Sequence, residues 1–271
     1  MLQMNSMCRH AKDHLSGAIY WVPVNTTDYN GGDRAYNLFH HNAINDAFSA
    51  IWNHTFSPNF LNEARVNAAG WRWNEITDNP QAPVGLPQVG IGAIGSPNIN
   101  LNQFGSALGS DLNQWTYGYK DVATLVVRRH TIKFGGKYTR LYYLNNPIGR
   151  PGYNFFNIWD FLNDAPKEEY GNFDSVTGLP GGSRADNREN LLGLFVQDDF
   201  KVTPTITLNI GLRYGYFGAL YSKQNNLSVV QFGSGGSYLT GIDLRQGGNL
   251  WTPKKGNFGP QLGFNWSPEV F

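Results

Sequence analysis

The sequence is poor in cysteine and in charged residues, and both shortages narrow the possible classes of protein. Cys8 is the single cysteine in 271 residues, so the chain has no internal disulfide framework. Charged residues make up 15% of the chain, whereas ordinary soluble domains contain about 25%. The net charge is +1, which gives no support for a nucleic-acid-binding surface. A disulfide-stapled module and a nucleic-acid-binding protein are therefore poor candidates.

Long apolar runs are missing as well. No stretch approaches the roughly 18 consecutive apolar residues that a membrane-spanning helix needs. Residues 1–17 contain no apolar core of the kind found in signal peptides. Two expectations follow: either the protein is soluble and intracellular, or the natural beginning of the chain is missing.

The residues that replace charge are those typical of strands and turns. Aromatic residues make up 14% of the chain, and there are 32 glycines. Aromatic residues and threonine favour strands, whereas glycine and asparagine are poor helix formers. A chain of this length therefore predicts one large all-β domain or two smaller ones.

The clearest strand pattern runs from Thr205 to Phe217. Its apolar residues recur at every second position: Ile206, Leu208, Ile210, Leu212, Tyr214 and Tyr216. The alternate positions are small or polar. A bilayer core is crossed by about 9–11 tilted strand residues, and terminal tyrosines are typical of an interfacial aromatic girdle. The segment therefore predicts a transmembrane strand between lipid and a wet interior.

Related patterns recur along the chain. They predict strands at 43–56, 60–74, 115–127, 131–139, 190–201, 205–217 and 257–266, with an eighth at 17–22. Tight turns are expected near residues 57, 129, 203 and 267, and three of them contain Ser-Pro or Thr-Pro.

The predicted connections alternate between short and long. Residues 75–111, 145–187 and 220–256 form connections of about 40 residues, rich in Gly, Pro, Asn and Ser. Transmembrane barrels have short periplasmic turns and long extracellular loops. The fold class is therefore all-β: a transmembrane antiparallel β-barrel segment of about 7–8 strands belonging to a larger barrel.

At this point specific motifs become informative. Residues 195–214, FVQDDFKVTPTITLNIGLRY, resemble the barrel of TonB-dependent outer-membrane transporters. Within that family, two segments resemble the Oar-like branch: GYNFF followed by WDFL at 152–162, with Pro166 beyond, and NFGPQLGFNWSP at 257–268. The resemblance extends over residues 43–271.

The resemblance implies a location and partners. It places the protein in the outer membrane of a Gram-negative-type bacterium, in contact with lipid, its own plug domain, the TonB complex and an extracellular substrate. Because no plug, TonB box or signal peptide is recognisable, residues 1–271 are expected to be a partial barrel domain, with residues 1–42 contributing a loop and one strand. The substrate class stays open between siderophore, glycan, peptide and protein.

Motifs that could carry other chemistry have simpler explanations. Gly90, Gly92 and Gly95 match the dinucleotide fingerprint by letter, but no helix can begin properly at the Ser96-Pro97 that follows, which predicts a flexible loop. Cys8, His10 and His14 are too few to form a complete metal site. No cofactor or metal site is therefore predicted.

Charged and aromatic residues leave alternatives open. Neighbouring strand residues face opposite sides, so Asp198 and Asp199 are expected to be rim residues ion-paired near Lys201 or Arg213. Lys133, Lys137 and Arg213 on the polar face are expected to meet an anionic substrate or the plug. Five aromatic residues could either form an interfacial girdle or stack on the sugar rings of a ligand: Trp71, Trp73, Trp115, Tyr117 and Tyr119.

The predicted function is substrate uptake or translocation across the outer membrane, without catalysis, since no nucleophile–base arrangement is visible. Two alternatives remain: a soluble secreted carbohydrate-binding β-protein, and a small self-contained barrel acting as an adhesin or passive pore. A packed apolar core between two sheets would favour the soluble protein. A continuous outward apolar band would favour a barrel.

Overall fold

The computed structural model describes residues 2–28, 39–77, 88–91, 110–147, 152–171, 184–232 and 241–268. These residues form fifteen strands and one five-residue helix. The elements in chain order are β1 (Leu2–Arg9), β2 (Asp13–Asp28), β3 (Phe39–Ser57), β4 (Phe60–Thr77), β5 (Gln88–Ile91), β6 (Ser110–Val127), β7 (His130–Pro147), β8 (Gly152–Phe155), α1 (Ile158–Leu162), β9 (Glu168–Tyr170), β10 (Ala185–Thr203), β11 (Ile206–Phe217), β12 (Tyr221–Ser222), β13 (Ser228–Phe232), β14 (Ile242–Gln246) and β15 (Phe258–Trp266).

The long strands form one antiparallel sheet. Its order is β1-β2-β3-β4-β6-β7-β10-β11-β15, and the short strand β12 adds to the outer end of β10. Every long strand therefore pairs with the next long strand in the chain, which is the meander expected of an up-and-down barrel wall. Within the described ranges, β1 and β15 have one hydrogen-bonded neighbour each, so the sheet is open.

The predicted strands are confirmed, with longer bounds. β10 begins at Ala185 rather than residue 190, and β7 continues to Pro147 rather than residue 139. The extra residues lie at the long-connection end. Those of β10 are mostly polar, and those of β7 contain the unbroken run Leu141-Tyr142-Tyr143-Leu144, so neither extension shows the apolar alternation that reveals a strand in the sequence.

The N-terminal segment differs from the expectation. Residues 1–42 were expected to supply a loop and one strand, yet β1 and β2 both pair in the sheet, Leu2 opposite Trp21 through Arg9 opposite His14. β1 escaped prediction because its sequence, LQMNSMCR, shows no regular alternation of apolar and polar residues. β2 in turn is sixteen residues long and not six.

The short turns lie at one end of the sheet. Pro58-Asn59 joins β3 to β4, Arg128-Arg129 joins β6 to β7, and Pro204-Thr205 joins β10 to β11. Arg128 adopts φ 55°, a left-handed conformation that tight hairpins require. A further turn joins β1 to β2, where the backbones of His10 and Asp13 exchange hydrogen bonds of 2.8 and 3.1 Å. The turn expected near residue 267 follows β15, and residues 269–271 lie outside the described ranges.

The long connections contain regular structure of their own. β5 from one connection pairs in parallel with β8 from the next, and β8 pairs with β9. Ile91 and Phe155 are buried in this small sheet. β13 and β14 form a separate hairpin. Of the glycine motif that was expected to form a flexible loop, Gly90 lies in strand β5, whereas Gly92 and Gly95 lie outside the described ranges.

The described part of the chain has no helix that is both long and apolar enough to cross a membrane.

The register gives the sheet two chemically different faces. Side chains of directly opposite residues share a face, so the positions of Leu208, Ile210 and Leu212 define the apolar face, and those of Asn209, Gly211 and Arg213 the polar face. The apolar face carries most of the exposed large apolar residues of the sheet: Leu15, Ile19, Trp21, Phe48, Trp52, Val66, Tyr119, Phe134, Tyr138, Leu194, Val196, Ile210, Leu212, Leu262 and Phe264.

No second sheet packs on this band within the described residues. Its side chains stay open, with Ile210 50% and Leu212 44% exposed, and none of the large side chains in the described ranges is fully buried. A sandwich would bury the inner faces of two sheets against each other, and an apolar area of this extent marks a membrane or interaction surface. The soluble β-sandwich alternative is therefore wrong.

Polar groups on the apolar face concentrate near its turn end. His54 contacts Asp13 at 2.6 Å, and His130 contacts Asp198 at the same distance while its ring stacks on Phe200. Both pairs lie at the border of the band, where polar groups paired with aromatic neighbours are typical of an interfacial region. Two aspartates interrupt the band itself, Asp46 opposite Gly70 and Asp121 opposite Gly136. Nothing in the described residues explains those two.

Candidate functional site

A row of cations crosses the polar face on three neighbouring strands. Arg65 of β4 is directly opposite Lys120 of β6, and Lys120 is directly opposite Lys137 of β7. One carboxylate serves this row: Glu63 Oε1 lies 3.4 Å from Arg65 Nη2 and 3.6 Å from Lys120 Nζ. In the described residues Lys137 makes no ion pair.

The row continues into a pocket beside Gly193 of β10. Gly193 is directly opposite Lys137, and because it has no side chain, the space next to the ammonium group stays open. Arg213 of β11, opposite Phe195, supplies a further cation. The pocket has a volume of about 310 Å³. Its polar-face lining consists of Lys120, Lys137, Gly193, Phe195, Gln197, Arg213 and Gln261.

The electrostatics of this cation row suit an anionic ligand. Like charges directly opposite each other across a sheet are destabilising, and the single carboxylate Glu63 leaves most of the positive charge uncompensated. Arginine offers a planar fork for carboxylate or phosphate, whereas lysine acts as a mobile point charge. The two glutamine amides of the lining add neutral hydrogen-bonding groups. The arrangement can therefore bind and orient an anion, and it contains no evident nucleophile.

The sequence identified part of this site. Lys133, Lys137 and Arg213 lie on the polar face, as predicted. Lys137 and Arg213 line the pocket, whereas Lys133 lies nearer the turn and does not. Arg65 and Lys120 were missed. Lys120 could have been found from the alternation of Tyr117 and Tyr119, because the next residue must face the other side. Arg65 required the register between β4 and β6, which no local pattern reveals.

The aspartate pair behaves differently from the expectation. Asp198 and Asp199 do face opposite sides, but Asp198 is hydrogen-bonded to His130 Nδ1, at 2.6 Å, and contacts neither Lys201 nor Arg213. Asp199 accepts a hydrogen bond from the Gln197 side chain at 2.9 Å. The expected partners are wrong because Lys201 and Arg213 share the polar face, from which Asp198 points away.

The aromatic residues divide between the two faces. Trp115, Tyr117 and Tyr119 lie on the apolar face, where a girdle belongs. Trp71 and Trp73 lie on the polar face: Trp71 donates to Gln114 at 3.2 Å, and Trp73 packs on the buried ring of His41 at 4.5 Å. A girdle role for the two tryptophans is therefore wrong.

The N-terminal histidines do not converge with the cysteine. In the register of β1 and β2, Cys8 is opposite Leu15 and Arg9 is opposite His14, and His10 lies in the turn. No group of three potential ligands among His, Cys, Asp and Glu comes together in the described ranges.

Comparisons with known proteins agree with this architecture. A family model described as "Outer membrane beta barrel domain" matches residues 9–269. Among solved structures, the chain is similar to the closed form of the ferric-catecholate import receptor Fiu from E. coli K12, with 13% identity and a TM-score of 0.41. That alignment covers 94% of this chain and 38% of the receptor, so the chain spans well under half the receptor's length. No curated protein matches the sequence.

Proposed function

The chain belongs to the outer membrane β-barrel domain family, and from this premise we propose that it is wall of a TonB-dependent, Oar-like transporter that takes up or translocates an extracellular substrate. Its location is the outer membrane. In the proposal, the apolar face meets lipid, the polar face lines the interior, and the long connections reach the substrate first.

The cation row and its pocket carry the proposal. A wall that served only as scaffold would gain stability from alternating charges, yet Arg65, Lys120 and Lys137 follow one another across three strands. This favours an interior surface that receives an anionic group from a passing substrate or from the plug. The role is binding and transfer without catalysis.

Two further observations support the TonB-dependent class. The FVQDDFKV and TLNIGLRY segments, which carry the resemblance, form the hairpin β10–β11, with Asp199 opposite Asn209 and Phe195 opposite Arg213. Short turns gather at one end of the sheet, and long connections with regular structure gather at the other. Both are features of large plugged barrels with substrate-binding loops.

The test compares solutes that cells remove from the growth medium. Three strains of the native organism are needed: wild type, one lacking this gene, and one lacking TonB. Mass spectrometry of the spent medium should show the same solutes, anionic ones among them, left behind by both mutants. If the strain without TonB removes the solutes that the gene deletion leaves, the barrel is a passive pore and the proposal fails.

The contribution of the pocket is tested in the same assay. Lys137→Glu in the full-length protein should leave the anionic solutes in the medium, because it reverses the charge beside Gly193. Lys133→Glu is the matched control, since Lys133 lies on the same strand and face but outside the pocket. Equal uptake by both variants would remove the pocket from the proposal.

A further inference from the structure

A second groove lies on the opposite side of the wall, on the apolar face. It has a volume of about 440 Å³ and is lined by Tyr117, Tyr119, Tyr138, Arg140, Tyr142 and Arg188. The register puts all six on the apolar face: Tyr119 is opposite Tyr138, Tyr117 is opposite Arg140, and Tyr142 is opposite Arg188. The groove therefore faces away from the interior and its cation row.

The two arginines of this groove differ in how they are held. Arg188 is fixed, with Nε 3.2 Å from Asp186 Oδ1 and the guanidinium 5.5 Å from the centre of the Tyr142 ring. Arg140 has neither a carboxylate nor a hydrogen-bond acceptor in the described part of the chain. The directly opposite Asn190 does not serve it, because the Asn190 side-chain oxygen accepts from the Tyr138 hydroxyl at 2.7 Å. Among the described residues, Arg140 is thus an uncompensated, half-buried cation in a tyrosine-lined groove.

The height of Arg140 on the wall identifies what can reach it. It lies about ten residues beyond His130, and at about 3.4 Å per residue and a tilt of about 40° this is about 26 Å above the turn end. The apolar band of an outer-membrane barrel is about 25 Å tall, with aromatic girdles at its borders. Arg140 is therefore at the lipid–water border on the long-connection side, the level of lipid headgroups rather than of acyl chains.

We propose that this groove binds the phosphate of an outer-leaflet lipid headgroup. Arg140 contributes the charge-assisted contact, because a guanidinium offers a fork that fits phosphate oxygens. The hydroxyls of Tyr117, Tyr119 and Tyr142 donate further hydrogen bonds, whereas that of Tyr138 already donates to Asn190. The tyrosine rings pack on the upper acyl chains and sugars. Arg188 is a positioning residue, since Asp186 already takes part of its charge. The inference rests on the outer-membrane location and is independent of transport.

The experiment measures lipid binding to the detergent-purified full-length protein by native mass spectrometry. The probe is diphosphorylated lipid A, compared with a dephosphorylated glycolipid of the same acyl chains. The wild-type protein should prefer the phosphorylated lipid, and Arg140→Gln should bind it about tenfold more weakly, the effect of about one charge-assisted hydrogen bond. The dephosphorylated lipid should bind wild type and Arg140→Gln alike.

Arg72→Gln is the matched control. Arg72 is another exposed arginine on the apolar face, opposite Asn113 of β6, but it does not line the groove. Its substitution should leave lipid A affinity unchanged. Equal losses for the two variants would mean general charge attraction and would overturn the proposal, as would an unchanged affinity in Arg140→Gln. A circular-dichroism melt confirms that each variant is folded, and neither outcome depends on whether the protein transports anything.

Discussion

At the scale of single residues, the wall shows where stability and function oppose each other. The cation row places like charges directly across from each other, with only Glu63 to compensate. Such a cost persists where binding requires it, because selection maintains function above a stability threshold and not maximal stability. Gly193 shows the same conflict between stability and binding. A β-carbon added at this position would meet nothing closer than the Lys137 carbonyl oxygen, at 4.0 Å. The space beside Lys137 is therefore left open although a larger residue would fit.

Neutralising Lys137 should accordingly stabilise the protein. Lys137→Gln removes the repulsion with Lys120 and keeps a polar side chain, so we expect the free energy of unfolding to rise by about 0.2–1 kcal/mol. Lys133→Gln is the control, because Lys133 is opposite Thr124 and Gln197 and meets no like charge. Urea unfolding in lipid vesicles measures both variants. An equal rise in the free energy of unfolding for the two variants would show that repulsion within the cation row does not destabilise the protein.

At the scale of strands, the sequence predicted the strand segments that cross the bilayer and missed the strand residues and pairings outside it. Where lipid meets the wall, as in β11, one face must be apolar, so the alternation is visible without a structure. Beyond that region the alternation breaks down, as in the run Leu141-Tyr142-Tyr143-Leu144, which is why the outer part of β7 escaped prediction. The pairing of β5 with β8 depends on contacts between two separate connections, and no local pattern encodes such a contact.

The face assignment of β11 has a direct consequence for assembly. Ile210→Arg places a cation in the lipid-facing band and should cost about 2–4 kcal/mol. Asn209→Arg is the control, because the neighbouring residue belongs to the polar face. The amount of each full-length variant recovered from purified outer membranes gives the readout. We expect strong depletion of Ile210→Arg alone, and equal recovery of the two would contradict the face assignment.

At the scale of the whole molecule, one sheet presents two chemically different faces, and each face carries one of the two proposed binding surfaces. The cation row faces the interior, and the tyrosine–arginine groove faces the membrane border. The all-β barrel class followed from the sequence because short turns, long connections and period-two strands are regular features of this architecture. Both sites needed the register, since Arg65, Lys120 and Arg140 acquire meaning only from the residues opposite them.

The central claim is that the apolar face meets lipid and the polar face meets water. Spin labels at each position from 208 to 213 test it in the full-length protein reconstituted in vesicles, with Cys8 replaced by serine. Collision with oxygen, which concentrates in lipid, should peak at Leu208, Ile210 and Leu212. Collision with a water-soluble nickel chelate should peak at Asn209, Gly211 and Arg213. An accessibility profile without a period of two, or one in which the nickel chelate reaches Ile210 as readily as Asn209, would contradict the account.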